Sequence, residues 1–559
     1  MKKKINNTRN RSLKMTMKLL GAAFMTLHSS LLTSCSDWDD HYNMADAVGG
    51  SNQTLWEQLK ANDQLSDFCE VLEQTKVFRM HKKTPVSYAD LLRGGQAFTV
   101  IAPVNGSFDK ARLLQLVQTA QGDSIVEKSF VKNHLSRSLC SVRADEERMM
   151  LLNNKHVTIA DGKIAGVGLS TPNMHAKNGI LHVASQPIPY RSSIYEALSD
   201  NEEFSAIGRL LRAYEEDYFD ANSSVSSGIV DGVPVYVDSV VIERNRMLNS
   251  LGLINSEDSA YWMVAPTTAG WQKAWDETKR YFVFDEKMEK RDSLQQYYTI
   301  RALLDDAVFS LTNQQAPNDS LLSVQYLYER PNYSSPKPVY HVFKKPFEAG
   351  GILNGAERVE CSNGTLFKVA QWPLQPEKTF FRQIWVEGEQ TAYITEYNKC
   401  TYNTRQLSAD SISDGAYLRI LPTDGTANWE MTYRINNTLS GDYDICAVIL
   451  PKSVYNQTNP DMRPCKFKAT LNYVDEQGNA QSYACKNSDG KTEFTTDPSR
   501  IDTVVVAEWF HFPACNYGQT EIKVSLKLTC SITSRQTSSY AREMFLDCIY
   551  LRPRKNIEN

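Results

Sequence analysis

Phe98-Thr-Val-Ile-Ala-Pro-Val-Asn-Gly-Ser-Phe108 is the stretch that decides the fold of the N-terminal part of the chain. Its β-branched and apolar start predicts a short strand that ends at Pro103 and passes into a turn. Apolar residues with helical spacing precede it at Leu55, Leu59, Leu65, Phe68, Val71 and Leu72. The local order is therefore helix, strand and turn, which is typical of a compact α+β unit.

Two later landmarks complete this unit. Phe130-Val-Lys-Asn-His-Leu135 predicts a central helix, and Asn178-Gly-Ile-Leu-His-Val183, followed by Pro189, predicts a turn and a closing strand. The three landmarks, in this order, resemble the signatures of fasciclin domains. The resemblance implies an α+β fasciclin-like domain over residues 54–190.

The same pattern then starts again. A second copy of each landmark is found in Ser193-Ile-Tyr-Glu-Ala-Leu198, Trp262-Met-Val-Ala-Pro-Thr-Thr268 and Asn363-Gly-Thr-Leu-Phe-Lys-Val369. An internal repeat of this kind predicts a second fasciclin-like domain over residues 191–376. It is divergent, because Asp305-Asp306 stands where the first copy has Asn133-His134, and residues 215–255 and 313–337 resemble insertions. This divergence favours a scaffold role.

Residues 377–559 have almost no helical periodicity and many short alternating runs, which predicts an all-β sandwich. Ser440-Gly-Asp-Tyr-Asp-Ile-Cys-Ala-Val-Ile-Leu-Pro451 and Phe545-Leu-Asp-Cys-Ile-Tyr-Leu-Arg-Pro553 resemble galactose-binding-like jelly rolls. That resemblance implies a jelly-roll domain of a type that often binds carbohydrate. The predicted fold class is therefore multidomain, with two α+β domains followed by a β-sandwich.

The N-terminus predicts export and lipidation. A basic leader precedes an apolar run at residues 19–32, which is too short for a membrane-spanning helix, and Leu32-Thr-Ser-Cys35 resembles a bacterial lipobox. We therefore expect a signal peptide over residues 1–34, an acylated Cys35 and a flexible stalk over residues 35–53. The acidic cluster after Cys35 resembles the export signal of Bacteroidota surface lipoproteins, which implies the outer face of the outer membrane.

Composition narrows the function classes. The net charge is −4, with 61 basic and 65 acidic residues interspersed, so no nucleic-acid surface is indicated. Of the 11 cysteines, eight lie beyond residue 360, without the Cys/His spacing of a zinc site. We expect no cofactor and no metal, and buried thiols in strands; the sequence leaves disulfide connectivity open.

Sequence patterns for catalysis are weak. Neither GxSxG nor HExxH occurs, and Gly490-Lys-Thr492 lacks the first glycine of a phosphate loop. The spacing of His134, His175 and His182 matches no ligand template, which favours core or surface histidines. Glu508 and Asp547 nominally qualify as a glycosidase pair. The sequence predicts a protein that is not an enzyme.

Binding residues are predicted in the sandwich. The aromatic candidates for stacking on sugar rings are Trp429, Tyr433, Trp509, Phe510 and Tyr517. The candidates for hydrogen bonds to hydroxyl groups are Asn436, Asn437 and Asp442. The alternative for each aromatic residue is packing in the core of the sandwich.

The resemblances imply an accessory lipoprotein that captures glycan for a Sus-type, TonB-dependent uptake system of the outer membrane. Its partners would be a polysaccharide, the transporter and, through Cys35, the membrane. A competing hypothesis is an adhesin in which the fasciclin-like faces bind cells or host proteins. A glycan-processing enzyme is the third hypothesis.

Overall fold

The computed structural model describes residues 51–79, 82–143, 145–230, 233–310, 320–328, 338–407, 409 and 411–555. The predicted signal peptide, Cys35 and nearly all of the predicted stalk lie outside these residues. Contacts divide the chain into two compact units, Met1–Arg191 and Ser192–Asn559. No helix within the described ranges is long and apolar enough to cross a membrane.

Unit 1 is an α+β domain. Its α-helices are α1 (Leu55–Lys60), α2 (Ser66–Gln74), α3 (Tyr88–Arg93), α4 (Lys110–Leu116) and α5 (Ala120–Val126). Its strands are β1 (Lys76–Arg79), β2 (Lys82–Ser87), β3 (Phe98–Pro103), β4 (Leu135–Ser136), β5 (Glu147–Met150), β6 (His156–Ala160), β7 (Lys163–Ile164), β8 (Val167–Ala176) and β9 (Gly179–Ala184). Strands β1 and β2 form a hairpin, and the others form one sheet in the order β4-β3-β9-β8-β7-β6-β5.

The predicted central helix of unit 1 has a different form. Residues Glu127–Val131 form a π-helical turn and Lys132–His134 a 3-10 turn. Asp123 in α5 and Glu127 at the start of the π-helical turn are buried and accept the backbone N–H groups of Lys76 and Phe78 on β1. The wider turn therefore accompanies a polar attachment of the β1–β2 hairpin.

Unit 2 begins with a second α+β domain. Its α-helices are α6 (Ile194–Asp200), α7 (Ser205–Arg212), α8 (Leu248–Leu251), α9 (Thr268–Thr278) and α10 (Arg291–Leu304). Its strands are β10 (Glu215–Val230), β11 (Val233–Asn245), β12 (Tyr261–Pro266), β13 (Val308–Ser310), β14 (Ser320–Tyr328), β15 (Pro338–Lys344), β16 (Glu357–Cys361) and β17 (Gly364–Val369). Strands β10 and β11 form a long hairpin, and the others form a sheet in the order β15-β14-β13-β12-β17-β16.

The two α+β domains share one construction at the Asn-Gly landmark. In unit 1, Asn178 accepts the N–H of Leu55 at 2.7 Å and donates to the carbonyls of Leu92 and Gly94. In unit 2, Asn363 accepts the N–H of Ile194 at 2.9 Å and donates to two carbonyls of the segment before β12. Each asparagine thus ties the first helix of its domain to the start of the closing strand.

The glycine of this landmark permits a close approach between strands. The closing strand lies parallel to the Phe98–Pro103 strand in unit 1 and to the Tyr261–Pro266 strand in unit 2. A Cβ on Gly179 would lie 1.9 Å from the carbonyl oxygen of Phe98, and one on Gly364 would lie 1.8 Å from that of Tyr261. The Asn-Gly sequence predicts a turn with positive backbone torsions, and Gly179 and Gly364 have φ 152° and 141°. The structure adds a steric requirement for glycine at both positions.

The C-terminal part of unit 2 is a jelly-roll sandwich. Its strands are β18 (Ile384–Glu387), β19 (Ile394–Asn398), β20 (Cys400–Gln406), β21 (Ala416–Pro422), β22 (Glu430–Arg434), β23 (Gly441–Ile449), β24 (Lys466–Val474), β25 (Ala480–Ala484), β26 (Phe494–Thr495), β27 (Asp502–Phe512), β28 (Ser525–Cys530) and β29 (Met544–Pro553). One sheet, sheet A, has the order β20-β21-β29-β23-β27, with β18 paired to β29. The other, sheet B, has the order β19-β22-β28-β24-β25, with β26 paired to β24. The chain crosses repeatedly between the two sheets, and this arrangement confirms the predicted fold class.

The core of the sandwich also contains residues from the second α+β domain. Phe282 and Phe284 are buried with Trp429, Tyr443 and Phe512 in one hydrophobic cluster. We call residues 281–287 the strap. Three backbone hydrogen bonds of 2.6 to 2.9 Å join the strap to the sandwich, and their N–H donors are Ser440, Cys515 and Glu286. The structure therefore joins the strap to the domain predicted to begin at residue 377.

Candidate functional site

Two of the predicted sugar-stacking residues are buried. Trp429 and Tyr433 are 0% exposed in the sandwich core. The indole N–H of Trp429 donates to the carbonyl of Arg542, and the hydroxyl of Tyr433 donates to that of Gly388. Both side chains have their polar groups satisfied inside the protein, so we remove them from the predicted binding residues.

Three further candidates serve local structure. Tyr517 is half-buried and packs edge-on against Phe282 and Tyr298. Asn437 has φ 60° and accepts the N–H of Gly518 at 3.0 Å, so its side chain fixes a loop. Phe510 is half-buried and faces the core, where it packs on Phe512. Asn436 is half-buried beside this loop.

The outer face of sheet A is divided into a covered half and an open half. Side chains alternate along each strand, so those beside core residues point outward. In the covered half Ile412, Tyr417, Leu450 and Phe545 form a small apolar cluster under surrounding loops. In the other half the outward positions of four adjacent strands, β18, β29, β23 and β27, include aromatic and charged residues together with the buried Cys446.

Asp444 on β23 is the centre of this open half. Its side chain has no exposed surface, and it accepts Arg552 Nη2 at 2.6 Å, Arg554 Nη2 and the backbone N–H of Trp509 at 3.2 Å. Burial acts to raise the pKa of Asp444, but hydrogen bonds from Arg554, Arg552 and Trp509 outweigh it and hold the pKa below its usual range. Asp444 is therefore an anion that fixes two guanidinium groups at the surface.

Trp509 is the exposed aromatic residue of this half. The pairing of β23 with β27 is irregular here, so that Asp444 faces both Glu508 and Trp509 in a β-bulge. Trp509 has φ 51°, which is costly for a bulky side chain, and is 48% exposed. The guanidinium of Arg554 lies 5.1 Å from the centre of its ring. The bulge thus turns a large apolar ring outward beside two arginines.

A second aromatic pair lies at the other end of the open half. Trp385 on β18 is opposite Tyr550 on β29, with their ring centres 5.3 Å apart. Burial, followed by a hydrogen bond with Cys446, raises the pKa of Tyr550 to about 12, so the hydroxyl stays neutral. Strands β18 and β27 are three strand spacings apart, about 14 Å. We call the surface from Trp385 to Trp509 the Trp509 face.

A histidine and a carboxylate lie at the edge of the Trp509 face. His511 follows Trp509 by two residues on β27 and is exposed, and its Nδ1 lies 2.9 Å from Asp442 Oδ1. The N–H of Arg554 donates to the carbonyl of Asp442 at 2.8 Å. The predicted hydrogen-bonding residue Asp442 therefore lies on this face, and its side chain is occupied by His511.

The nominal glycosidase pair is not assembled. Asp547 is buried and accepts the N–H of Ser413, whereas Glu508 is exposed at the bulge. Arg552 is opposite Asp444, which faces Glu508, and Asp547 precedes Arg552 by five residues on β29. Asp547 and Glu508 are therefore separated by roughly 16 Å along the strand direction. Glycosidases hold their two carboxyl groups about 5–10 Å apart.

The buried carboxyl groups near Asp547 form an acidic cluster. Burial raises the pKa of Glu389 to about 8, and the nearby charges of Glu387, Asp414 and Asp547 add to this effect. Across the described residues, no three His, Cys, Asp or Glu side chains are placed to hold a metal ion. Every cysteine in those ranges is buried.

Two of the histidines considered as ligands have structural roles. In His134 the Nε2 atom accepts the N–H of Ile188, so Nδ1 carries the proton and donates to Phe130. Burial lowers the pKa of His134 to about 4. His182 accepts the N–H of Asn173 at Nδ1 and donates from Nε2 to the carbonyl of Cys140.

Sequence reasoning missed Trp385, Tyr550, Asp444, Arg552 and Arg554. One signal was present in β23, where Asp444 is a lone charge between Tyr443 and a continuous apolar run to Leu450. A buried charge requires partners, and two arginines stand at alternate positions at the end of the chain. The bulge that brings Trp509 to them depends on pairing between distant strands and has no local signal.

Comparison with solved structures finds similar proteins, all with low TM-scores. A FAS1 domain pair from the insect cell adhesion molecule fasciclin I is 11% identical, with 57% of this chain and 99% of that chain covered and a TM-score of 0.19. The CBM22-1 xylan-binding domain from Paenibacillus barcinonensis Xyn10C is 11% identical, with 32% of this chain and 95% of that chain covered and a TM-score of 0.20.

The CBM22-1–GH10 modules of Clostridium thermocellum xylanase 10B are 7% identical, with 31% of this chain and 28% of that chain covered and a TM-score of 0.21. No protein-family model and no curated protein matches the chain. The fold assignment accordingly rests on the strand order of the chain itself, which gives two α+β domains and a jelly-roll sandwich.

Proposed function

We propose that the chain is a glycan-binding protein whose ligand lies on the Trp509 face of the sandwich. The observation that carries this proposal is Trp509 itself, an exposed tryptophan held at φ 51° by a bulge and by the carboxylate of Asp444. Backbone strain at a bulky exposed residue is retained where the surroundings enforce it, and such positions cluster at functional sites. Core packing does not account for an indole that is half exposed.

Binding on this face would combine stacking with hydrogen bonds. The rings of Trp509, Trp385 and Tyr550 offer apolar surfaces to sugar rings. Arg552 and Arg554 offer guanidinium N–H groups between these platforms, and their positions are fixed by Asp444 before any ligand arrives. A site that is already ordered loses less conformational entropy on binding. The face is therefore suited to the capture of a glycan.

The test compares two exposed aromatic residues of the same sandwich. Trp509→Ala is expected to weaken glycan binding about tenfold or more in titration calorimetry. Tyr397→Ala is the matched control, because Tyr397 is 57% exposed on β19 of sheet B, away from the Trp509 face. Equal affinity in wild type and Trp509→Ala, or an equal loss in both variants, would contradict the proposal.

We also propose the cellular setting. An acylated Cys35 would tether the chain to the outer membrane, and the protein would serve as an accessory capture subunit of a Sus-type, TonB-dependent uptake system. Extraction of the tagged protein in mild detergent, followed by mass spectrometry, tests both points. A lipid-modified Cys35 and a stoichiometric transporter are expected. A protein that emerges alone would contradict the uptake role.

A second candidate function is adhesion through the second α+β domain. Phe347 is 48% exposed there and packs against Trp262 and Phe367, with ring centres 5.8 and 5.7 Å away. The guanidinium of Arg358 lies 5.9 Å from the ring of Trp262. An exposed aromatic residue beside an arginine is the composition of protein-binding hot spots. Cell adhesion lost in Phe347→Ala and kept in Trp509→Ala would favour this function.

A further inference from the structure

We propose that the ligand of the Trp509 face is an anionic glycan, whose carboxylate or sulfate group binds between Arg552 and Arg554. This inference rests on the proposed function and specifies its substrate class. The two guanidinium groups are adjacent because both bind the same carboxylate oxygen, Oδ2 of Asp444. The structure therefore presents a pair of positively charged groups that share one counter-ion.

Several terminal N–H groups of the pair remain available to a ligand, whereas the Nε–H of Arg554 is buried without a partner. A guanidinium has five N–H donors, and each of these arginines gives one side-chain hydrogen bond to Asp444. The side chains of Arg552 and Arg554 are 48% and 33% exposed. Planar guanidinium groups with free donors bind carboxylate and sulfate-like oxygens in a two-pronged geometry.

Among the described residues, Asp444 is the one carboxylate bound directly to the two arginines. Asp442 is hydrogen-bonded to His511 at the edge of the face. The ring of Trp509 lies under Arg554, so a sugar stacked on its free part would hold its substituents close to the guanidinium groups. Glu508 is exposed beside Trp509 and would oppose an anion, so a second variant can remove a repulsion without touching the arginines.

The experiment measures binding of the full chain to polygalacturonate, to carrageenan and to a neutral mannan. We expect the first two to bind more tightly than mannan, and their binding to weaken as salt is raised. Preference for polygalacturonate assigns the group as a carboxylate, and preference for carrageenan assigns it as a sulfate. Arg552→Gln is expected to weaken binding of the preferred anion about tenfold.

Glu508→Gln supplies a readout that does not depend on the stability of the Asp444 network. It is expected to strengthen anionic binding severalfold at low salt and to leave mannan binding unchanged. Mannan bound as tightly as the anions, with Trp509→Ala still disruptive, would overturn this inference and leave the proposed function standing. Binding of none of the three would overturn both.

Discussion

Trp509 combines a strained backbone with an exposed ring, and the two can be separated by substitution. Alanine and glycine both remove the ring and its contact with Arg554. At φ 51° alanine keeps the strain and glycine releases it, so we expect Trp509→Gly to be more stable than Trp509→Ala by about 1 kcal/mol. Chemical denaturation measures the difference. A more stable alanine variant, the usual order inside a strand, would show that the bulge relaxes.

Glu389 gives the sandwich a predictable pH dependence. Its pKa is about 8 in the folded chain, against an ordinary value of 4.5, so the folded state holds this proton more tightly than the unfolded state. Its stabilising contribution is therefore complete below pH 4.5 and is lost as the pH rises to about 8. We expect Glu389→Gln to raise Tm at pH 8 and to flatten Tm between these limits.

Glu396→Gln is the matched control for this experiment, because Glu396 is exposed on β19 of the same sandwich. It should leave the profile of Tm against pH unchanged. A rise in the Tm of wild type on addition of calcium chloride, absent in Glu389→Gln, would contradict the prediction. It would show that a cation, rather than a proton, balances the carboxylates around Glu389.

At the scale of elements, the Asn-Gly landmark sets how closely the closing strand approaches its parallel neighbour. Gly179→Ala would place a Cβ 1.9 Å from Phe98 O and 2.7 Å from a methyl group of Leu55, so backbone must move. We expect a loss above about 4 kcal/mol in the free energy of unfolding of unit 1. Urea denaturation followed by circular dichroism measures it.

The control for this prediction is Gly162→Ala in the same unit. Gly162 has φ 72° with open space around a Cβ, so alanine there incurs only backbone strain, about 1 kcal/mol. Equal losses in the two variants would mean that β3 and β9 can separate without cost, contrary to the steric requirement at Gly179.

The elements show what the sequence could predict. The landmark at Asn178 and its copy at Asn363 are local signals, and the structure confirms that a closing strand begins directly after each. Alternation of apolar and polar residues predicts the sandwich, but it does not indicate which aromatic side chains face the core. Trp429 and Tyr433 were therefore assigned to a binding surface, whereas they are core residues. Asp444 and Trp509 meet only through the pairing of β23 with β27, which the sequence does not encode locally.

At the scale of the whole molecule, a buried ion pair crosses between the strap and the sandwich. Lys523 on the sandwich lies 2.5 Å from Asp285 of the strap, and their side chains are 8% and 1% exposed. Asp285→Leu leaves the buried Lys523 with only the exposed Glu521, 3.6 Å away, and Lys523→Met leaves Asp285 buried without a cation. We expect each single variant to cost about 3–5 kcal/mol. Two-state fits of the urea unfolding of unit 2 provide the measurement.

The double variant Asp285→Leu with Lys523→Met completes the cycle. It removes both buried charges, so we expect its stability to return to within about 1 kcal/mol of wild type. If the double variant loses as much free energy of unfolding as the two single variants together, the two charges contribute independently of each other. The strap is then held mainly by Phe282 and Phe284.

The strap has a mechanical consequence under the proposed function. A long glycan bound at the Trp509 face would be subject to drag, and the sandwich would carry that tension. Because Phe282 and Phe284 are embedded in the sandwich core, this tension would pass into the second α+β domain through packed side chains and not through a flexible linker. The two domains of unit 2 would thus resist pulling as one mechanical body, and a bound chain would stay in a fixed orientation to that domain.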